Sequence, residues 1–574
     1  MLTWVITGLL PVTGFVSCRA PSSSREKPNI VLILGDDMGF SDLGCYGSNI
    51  ATPHLDSLAF DGLRYTQFYN AARCCPSRAC LMTGLYPHQT GLGWMTTTRY
   101  DLPGYTDELN DRCVTLAEVL QDAGYHTYMA GKWHLCHDVT QKGPMYDWPL
   151  QRGFEQFYGI LKGASSYYDP ATLCRGNQLI SPFTDSLYHP ESYYFTDAIT
   201  DNSVRFLQNR KKDKPFFMYV AYTAAHWPMQ APSAAIARYA GKYHAGWEAV
   251  REARLSRLKQ LGILSPATIL SPLDTHSWSD ETERPAMERR METYAAMISI
   301  MDDGVGKIVR ELKRQGIYRN TVIFFLQDNG ACEEPIFSDG PTHPVAADTA
   351  GLKPLPRSEV QYNARPPVTR DGKVVMTGRA VMAGGPDTYV TYLRPWANVS
   401  NTPFRLYKHW VHEGGIATPL IVHWPAGIKD RDALRTQICH EIDIMPTIVE
   451  LAGTQYPSTY RGHPITPEAG VSLVPTFRDD PLPPRTLFWE HEMNRAVRMG
   501  AWKLVSVGGL VDKVDRKWQH YQIHPWELYN MDKDRTELHD LSSQNPEMVR
   551  KMAAMWDKWA HRVGVFPAPW TPEN

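Results

Sequence analysis

Acidic and amide side chains stand at the ends of two apolar segments of the sequence. Asp36 and Asp37 follow the run IVLILG, and Asp328 and Asn329 follow the run TVIFFLQ. Each run has the length and composition of a buried parallel strand. Either pair alone is explained by a turn or a helix N-cap, where Asp and Asn are also favoured. Two pairs at strand ends of one sheet instead favour a site for a hard cation such as Ca²⁺ or Mg²⁺, which prefers oxygen ligands.

Cationic and imidazole side chains follow other predicted strands. Lys132 and His134 lie in GKWH, His226 lies in AAHWP, and Lys408 lies in RLYKHW. A lone lysine is usually solvated, and a lone histidine is more often structural than catalytic. Together with Arg78 and a metal ion, all placed at loop positions of one sheet, these groups could stabilise a multiply charged oxyanion ester and protonate its leaving group.

Two adjacent cysteines, Cys74 and Cys75, precede the tripeptide Pro-Ser-Arg that ends at Arg78. Neighbouring cysteines rarely form a disulfide, because the required Cα separation is reached only with strain. Their spacing is not that of a zinc site either. Ten cysteines in 574 residues do not form a disulfide framework. We therefore expect most cysteines to be small buried hydrophobic residues.

The pattern of apolar segments predicts an α/β protein with a large mixed, mostly parallel sheet between layers of helices. Strands are predicted at 30–37, 125–134, 214–221, 321–330 and 419–422, and helices at 54–60, 114–123 and 291–313, with a charged helical insert at 235–261. The segment 332–395 is long, irregular and rich in Gly and Pro, which is typical of a functional loop. We expect substrate contacts in residues 331–400.

The sequence changes in character after residue 477. Short strand patterns at 486–489, 496–499, 503–506 and 527–529 precede a helix pattern at 546–563. These segments predict a smaller C-terminal α+β subdomain at 478–574, an antiparallel sheet with one helix, after a catalytic domain at 25–477.

The N-terminal residues 1–24 are predicted to be a signal peptide. Leu2–Val16 is an apolar run that is too short to span a bilayer but long enough for a signal peptide. The sequence FVSC, which ends at Cys18, is similar to a bacterial lipoprotein signal. The protein is therefore expected to be exported to the periplasm or the cell surface, with membrane contact only through a lipid anchor at Cys18.

Composition excludes other classes of function. The net charge is −2, with 43% hydrophobic and 21% charged residues, as in an ordinary soluble globular protein. There is no basic excess for a nucleic-acid surface, so no nucleic-acid partner is expected.

The segment CCPSRACLMTG, residues 74–84, resembles the signature of the formylglycine-dependent sulfatases. The resemblance continues in the segments PNIVLILGDDMGFSDLGCYG, GKWHL, HWP, QDNG, NTPFRLYKHWVHEGGIATP and ELYNMDKDRTELHDL. It implies an alkaline-phosphatase-like α/β fold and the hydrolysis of sulfate esters. It also implies that a formylglycine-generating maturation enzyme oxidises Cys74 to Cα-formylglycine (3-oxoalanine), whereas Cys75 occupies a free position of the signature.

The same resemblance implies a role for each candidate site residue. One Ca²⁺ per chain would be bound by Asp36, Asp37, Asp328, Asn329 and formylglycine 74. Arg78 would brace the formylglycine, and Lys132 and Lys408 would pair with sulfate oxygens. A hydroxyl of the hydrated aldehyde would attack sulfur while His226 protonates the departing alcohol. His134 would then take the proton of the second hydroxyl, which expels sulfate.

Several alternatives remain open at this stage. A phosphate ester hydrolase of the same superfamily would use Ser or Thr and two metal ions, whereas one set of hard ligands is clear here. The chain could also be an inactive glycan-binding protein, but all the catalytic positions of the signature are filled, which argues against this alternative. The segments SNTPFRLYKHWVHEGGIATP and WEHEMNRAVR resemble sulfatases of gut-type bacteria. The expected substrate is therefore a sulfated glycan cleaved in exo fashion, with galactose 3-sulfate as one target, and small aryl sulfates are the alternative.

Overall fold

The computed structural model describes Met1 and residues 26–336, 340, 342–346, 349, 351–508 and 523–569. The rest of the predicted signal peptide, including Cys18, lies outside the described residues. The α-helices are α1 (Pro53–Phe60), α2 (Cys74–Thr83), α3 (Pro87–Thr90), α4 (Leu116–Asp122), α5 (Phe195–Asn209), α6 (Ser233–Ala237), α7 (Gly246–Gln260), α8 (Arg284–Arg314), α9 (Leu393–Ser400), α10 (Glu413–Ile416), α11 (Ile444–Leu451) and α12 (Pro546–Val563).

The strands form one large sheet, one smaller sheet and two short antiparallel pairs. They are β1 (Asn29–Gly35), β2 (Leu63–Tyr69), β3 (His126–Lys132), β4 (Gln156–Ile160), β5 (Leu173–Arg175), β6 (Gln178–Leu179), β7 (Phe216–Ala221), β8 (Thr321–Gln327), β9 (His343–Pro344), β10 (Met376–Thr377), β11 (Ala417–His423), β12 (Ala433–Arg435), β13 (Cys439–His440), β14 (Thr459–Tyr460), β15 (His463–Pro464), β16 (Thr486–His491), β17 (Asn494–Met499), β18 (Trp502–Ser506) and β19 (Glu527–Asn530).

The large sheet has the strand order β12-β2-β11-β8-β1-β7-β3-β4-β5-β6, and β13 also pairs with β2. Strand β1 lies at the centre and is parallel to both β7 and β8, and β3 is parallel to β7 and β4. Strand β11 is antiparallel to β2 and β8. The sheet is therefore mixed and mostly parallel, as the sequence predicted.

The core lies on both faces of this sheet. Alternate residues of β1 enter different hydrophobic clusters: Val31 and Ile33 pack with helices α1, α5 and α8, whereas Leu32 and Leu34 pack with α2, α4 and α11. Burial on both faces explains why β1 is a continuous apolar run rather than an alternating one. Both helix layers hold the strands in place, so the strand ends form a rigid platform for side chains.

The C-terminal strands β16–β19 form an antiparallel sheet, and helix α12 packs on it through the buried residues Trp556 and Trp559. The indole of Trp489 on β16 donates to the carbonyl of Asn70 at 2.8 Å, which connects this sheet to the loop after β2. The sheet and helix agree with the predicted C-terminal α+β part, and the predicted boundary at residue 477 stays a prediction.

The structure corrects some predicted elements. The insert at 235–261 is two helices, α6 and α7, because the backbone has positive φ angles of 74° at Gly241, between the helices, and of 82° at Gly246, the first residue of α7. Helix α8 begins at Arg284, seven residues before its predicted start at Met291. Strands β2 and β4 were not predicted. In the part of the chain that the structure describes, no helix is long and apolar enough to cross a membrane.

Candidate active site

Strands β1 and β8 bring the two predicted acidic pairs together. The amide of Asp328 donates to the carbonyl of Gly35 at 3.2 Å, and the amide of Asp37 donates to Asp328 Oδ1 at 3.3 Å. Asn329 Nδ2 donates to Asp37 Oδ1 at 2.7 Å. Asp37 has a positive φ of 57°, a conformation that non-glycine residues adopt at a cost of about 1–3 kcal/mol and that often marks functional sites.

Helix α2 carries the predicted nucleophile and the predicted bracing arginine. Cys74 is the first residue of α2, and Arg78 lies one turn further along the helix. Arg78 donates to Asp328 Oδ2 at 2.7 Å and to the carbonyl of Lys132 at 3.0 Å. Arg78 therefore lies on a helix and not at a loop position as predicted, because the signature itself forms helix α2.

Both predicted lysines are paired with the carboxylates of β1. Lys132 Nζ lies 2.7 Å from Asp36 Oδ2, and Lys408 Nζ lies 2.7 and 2.9 Å from the two carboxylate oxygens of Asp37. Burial and the neighbouring Asp328 raise the pKa of Asp36 to about 8, against the opposing effect of Lys132. Lys132 alone therefore does not compensate for the burial of Asp36 and for the nearby carboxyl group of Asp328.

The carboxylate cluster fits a hard cation. Asp36 Oδ1 and Asn329 Oδ1 are buried and have no hydrogen-bond partner among the described residues. Ligand atoms of Asp36, Asp37 and His226 lie within 4.8 Å of one another, and all three residues are buried. Unpaired buried oxygens are costly unless a cation or water satisfies them. The predicted ligands Asp36, Asp37, Asp328 and Asn329, with residue 74 as the fifth, would hold such an ion, and this ligand set stays a prediction.

The two predicted catalytic histidines differ in their surroundings. His226 Nδ1 lies 2.7 Å from the carbonyl of Trp227, so Nδ1 carries the proton and Nε2, 3.4 Å from Asp37 Oδ2, faces the cluster. Burial lowers the pKa of His226 to about 3, although Asp37 opposes this shift. His226 therefore has to gain a proton on Nε2 before it can act as an acid.

His134 lies two residues beyond Lys132 and has a φ of 56°. Burial and Lys132 hold the pKa of His134 well below its usual range. Its Nδ1 is buried and has no hydrogen-bond partner among the described residues. A neutral imidazole with an unpaired nitrogen can accept a proton, which is the predicted role.

A cavity of about 780 Å³ opens over these groups. Cys74, His134, His226 and Lys408 line it, together with the aromatic residues Trp94, Tyr100, Trp227 and Trp410. Asp36, Asp328, Asn329 and Arg78 have no solvent exposure and lie beneath it. The structure thus gathers all the predicted site residues into one region, with the carboxylates below and the nucleophile and histidines at the cavity wall.

Sequence reasoning did not single out a group of paired side chains on the cavity wall. Arg73 NH1 donates to Glu334 Oε1 at 2.8 Å, and His409 Nδ1 lies 2.8 Å from Glu492 Oε2. His409 Nε2 also lies 3.2 Å from Glu334 Oε1. Arg73 and His409 directly adjoin Cys74 and Lys408 in sequence, and that adjacency was the available signal. Glu334, Pro335, Ile336, Ala364 and Arg365 line the cavity, and the substrate contacts expected in 331–400 stay a prediction.

Comparison with known proteins gives the family of the chain. Residues 28–454 match the sulfatase family, and residues 404–562 match the C-terminal family of N-sulphoglucosamine sulphohydrolase. The chain is 32% identical to an uncharacterized sulfatase of Schizosaccharomyces pombe, over 95% of this chain and 96% of that protein. It is 31% identical to an arylsulfatase of Klebsiella aerogenes, over 80% of this chain and 94% of that protein.

A solved structure shows the same fold. The crystal structure of Ps i-CgsB in complex with k-i-k-neocarrahexaose superposes with a TM-score of 0.61, at 24% identity and over 93% of both chains. The fold is therefore the mixed α/β fold of sulfatases, with a C-terminal part. The chain belongs to the sulfatase family, and it is a sulfuric ester hydrolase.

Proposed function

We propose that this sulfatase cleaves sulfate esters of glycans with one Ca²⁺ and with a formylglycine that a maturation enzyme makes from Cys74. The observation that carries the proposal is the position of Cys74. It begins helix α2 at the cavity wall, while Arg78 of the same helix contacts Asp328 of the carboxylate cluster at 2.7 Å. Nucleophile and metal ligands are thus tied to each other through one buried arginine.

The chain's own residues have distinct tasks in this proposal. When bound, Ca²⁺ would supply positive charge for the ester's oxygens, and the hydrated aldehyde would supply the hydroxyls at position 74. Lys132 and Lys408 hold the sulfate and neutralise its charge in a site from which water is largely excluded. Arg78 fixes the position of residue 74, which lies on the same helix, relative to Asp328. His226 delivers a proton to the alcohol oxygen through Nε2, and His134 removes one from residue 74 through its unpaired nitrogen.

The cavity supports a sugar substrate. Its aromatic residues Trp94, Trp227 and Trp410 offer flat apolar faces, while Glu334 and Glu492 offer carboxylate oxygens that can accept hydroxyl hydrogen bonds. A cavity of about 780 Å³ suits a compact ligand such as one or two sugar rings. We propose exo action on such units, with galactose 3-sulfate among the substrates.

The test is sulfate release from a panel of defined sulfated mono- and disaccharides, with an aryl sulfate and the matching phosphate ester beside them. We expect much higher kcat/KM for one or more sugar sulfates than for the phosphate ester. Faster release of phosphate would contradict the sulfatase assignment, and turnover of the aryl sulfate alone would contradict the glycan assignment.

We also propose that residues 1–24 direct export and that Cys18 receives a lipid anchor. The support is the apolar run Leu2–Val16 that precedes Cys18. In a bacterial host, the full chain should fractionate with membranes, and a Cys18→Ser variant should appear in the soluble exported fraction. Equal partition of both proteins would contradict the anchor.

A further inference from the structure

The cavity has a second group of cationic residues besides those that face the carboxylate cluster. Lys162 lies two residues after the end of β4 and lines the cavity, as does the next residue, Gly163. Gly163 packs on His134 so closely that a Cβ at position 163 would lie 2.2 Å from Cε1 of the imidazole. Lys162 is therefore held beside one of the two candidate catalytic histidines.

Arg365 occupies the corresponding position beside the other histidine. Its guanidinium carbon lies 5.2 Å from the ring centroid of Trp227, and that ring centroid lies 4.3 Å from that of His226. Arg365 belongs to the long irregular segment between β8 and α9, and the neighbouring Ala364 also lines the cavity. The proposed proton donor thus has an aromatic ring next to it and a cation over that ring.

A hydrogen bond connects the two positions. Lys162 Nζ donates to the carbonyl of Tyr362 at 2.8 Å, and Tyr362 lies three residues before Arg365. The segment itself is anchored, because Gln361 donates to Asp169 at 3.0 Å and the carbonyl of Gln361 accepts from the amide of Thr172 at 2.7 Å. Lys162 and the loop that carries Arg365 therefore form one fixed part of the cavity wall.

Lys162 differs from Lys132, Lys408 and Arg73 because it has no carboxylate partner among the described residues. Lys132, Lys408 and Arg73 each contact a carboxylate within 3 Å. Among the residues that the structure describes, Lys162 forms no ion pair, and its bond to Tyr362 uses one of three ammonium donors. Burial lowers the pKa of Lys162, which is typical of an ammonium that has lost part of its hydration. An anionic ligand group would restore the missing interactions.

We infer that Lys162 and Arg365 bind a second anionic group of the substrate, a sulfate ester or a uronic acid carboxylate on the sugar that leaves as the alcohol. The inference rests on the proposed function, since it needs the scissile sulfate at Lys132 and Lys408 and the leaving oxygen at His226. Trp227 lies between Arg365 and His226 and would pack on that sugar. A sugar that carries a second anionic group should then be a better substrate than the same sugar with one sulfate.

The test compares four substrates: a sulfated monosaccharide, the same sugar with a second sulfate, the same sulfated sugar linked to a uronate, and an aryl sulfate. The variants are Lys162→Met and Arg365→Gln, with Lys162→Arg as the charge-preserving variant. An exposed lysine outside the cavity supplies the matched control, Lys211→Met. Thermal unfolding shows which variants are folded.

We expect wild-type kcat/KM to be higher for a doubly anionic sugar than for the singly sulfated one. Lys162→Met and Arg365→Gln should each lower that value about 10–100-fold, the effect of one hydrogen bond to a charged group. Their loss on the singly sulfated sugar and on the aryl sulfate should be smaller than this, while Lys162→Arg keeps most of the preference. The substrate that loses more, disulfated or uronate-linked, identifies the anion.

Two results would overturn the inference. One is a wild-type enzyme that treats singly and doubly anionic sugars alike, and the other is an equal loss on all four substrates in the variants. Either result leaves the proposed sulfatase chemistry intact, provided that the wild-type enzyme releases sulfate from the aryl sulfate. If the wild type released sulfate from none of the four, the proposed function would fail and the inference with it.

Discussion

Lys132 Nζ lies 2.7 Å from Asp36 Oδ2, and both side chains are completely buried. Lys408 contacts Asp37 in the same way, and Arg78 contacts Asp328. Each of these three carboxyl groups is therefore paired with one cationic side chain. Lys132 and Lys408 can bind an anionic ester only if another positive charge replaces them as the partner of Asp36 and Asp37. Binding of a divalent cation and binding of the sulfate group should thus be coupled.

The first prediction concerns this coupling. Removal of Ca²⁺ with a calcium-selective chelator should abolish turnover and weaken binding of inorganic sulfate, measured by calorimetry, because Lys132 and Lys408 then stay on Asp36 and Asp37. Added Ca²⁺ should restore both, and a zinc-selective chelator should change neither. Elemental analysis should find one calcium per chain, and stoichiometric zinc in the purified enzyme would contradict the proposed site.

Loss of one carboxylate gives a second prediction. Asp328→Ala leaves Arg78 buried without its 2.7 Å partner, so it should abolish activity and cost about 3–5 kcal/mol of unfolding free energy. Chemical denaturation separates the two effects. If the folded variant still bound calcium stoichiometrically and kept wild-type kcat, Asp328 would not belong to the metal site.

The adjacent cysteines allow a matched comparison. Cys74 lines the cavity, whereas Cys75 Sγ lies 3.4 Å from the carbonyl of Trp94 and Sδ of Met95. Cys74→Ala should lose all turnover and stay folded, and Cys75→Ala should keep most activity. Mass spectrometry of the peptide with both positions should find an aldehyde at residue 74 in wild type. An active Cys74→Ala variant, or a thiol at position 74 in active enzyme, would refute the assignment.

The chain's first strand shows why much of the site could be read from sequence. An apolar run that is buried on both faces must be a central strand, so the polar residues after β1 and β8 had to meet at one sheet edge. Strand β2 escaped prediction because Arg64, Thr66 and Gln67 interrupt its apolar pattern. Pairing between distant loops, such as Arg73 with Glu334, has no local signal, because tertiary packing alone brings such residues together.

Acid should destabilise the cavity wall through Glu492. Burial by itself would raise its pKa, but His409 and Arg73 outweigh burial and lower it from 4.5 to about 2. The native carboxylate stays ionised while the unfolded one takes up a proton as the pH falls through 4.5, so its stabilising contribution is present above 4.5 and is lost toward pH 2.

Glu492→Gln should therefore lower stability at neutral pH and reduce the fall in stability on acidification, measured by urea denaturation at several pH values. Glu547→Gln, on the exposed face of α12, is the control and should follow wild type. A Glu492→Gln variant with the same acid dependence as wild type would show that Glu492 contributes nothing in this pH range.

A buried lysine connects the C-terminal sheet to the large sheet. Lys503 Nζ on β18 lies 3.0 Å from Glu413 Oε1 on α10 and 2.8 Å from Glu537 Oε1, and all three side chains are fully buried. Lys503→Met leaves two carboxylates crowded without their shared cation and should cost about 3–5 kcal/mol. The melting temperature should fall clearly for this variant and should not fall for Lys551→Met, a substitution at an exposed position. Equal melting temperatures would contradict a linking role.

The two histidines give the sharpest contrast, because their proposed tasks concern different bonds. A phenol leaves well without a proton, whereas a sugar hydroxyl leaves as a strongly basic alkoxide. His226→Ala should therefore lower turnover of a sugar sulfate about 10²–10⁴-fold more than turnover of an aryl sulfate, the usual range for general acid catalysis. Initial rates on both substrates with the same enzyme preparation measure this ratio.

His134→Ala should behave differently, since His134 acts after the alcohol has left. Both substrates should slow toward one common rate, and sulfated enzyme should accumulate and be visible by intact-protein mass spectrometry. The His226→Ala variant is blocked at the earlier step, so sulfated enzyme should not accumulate when this variant acts on the sugar substrate. Equal losses for His226→Ala on aryl and sugar esters would remove His226 from the acid role. Lys132 and Lys408, the remaining proton donors near the sulfate, would then be the residues to substitute.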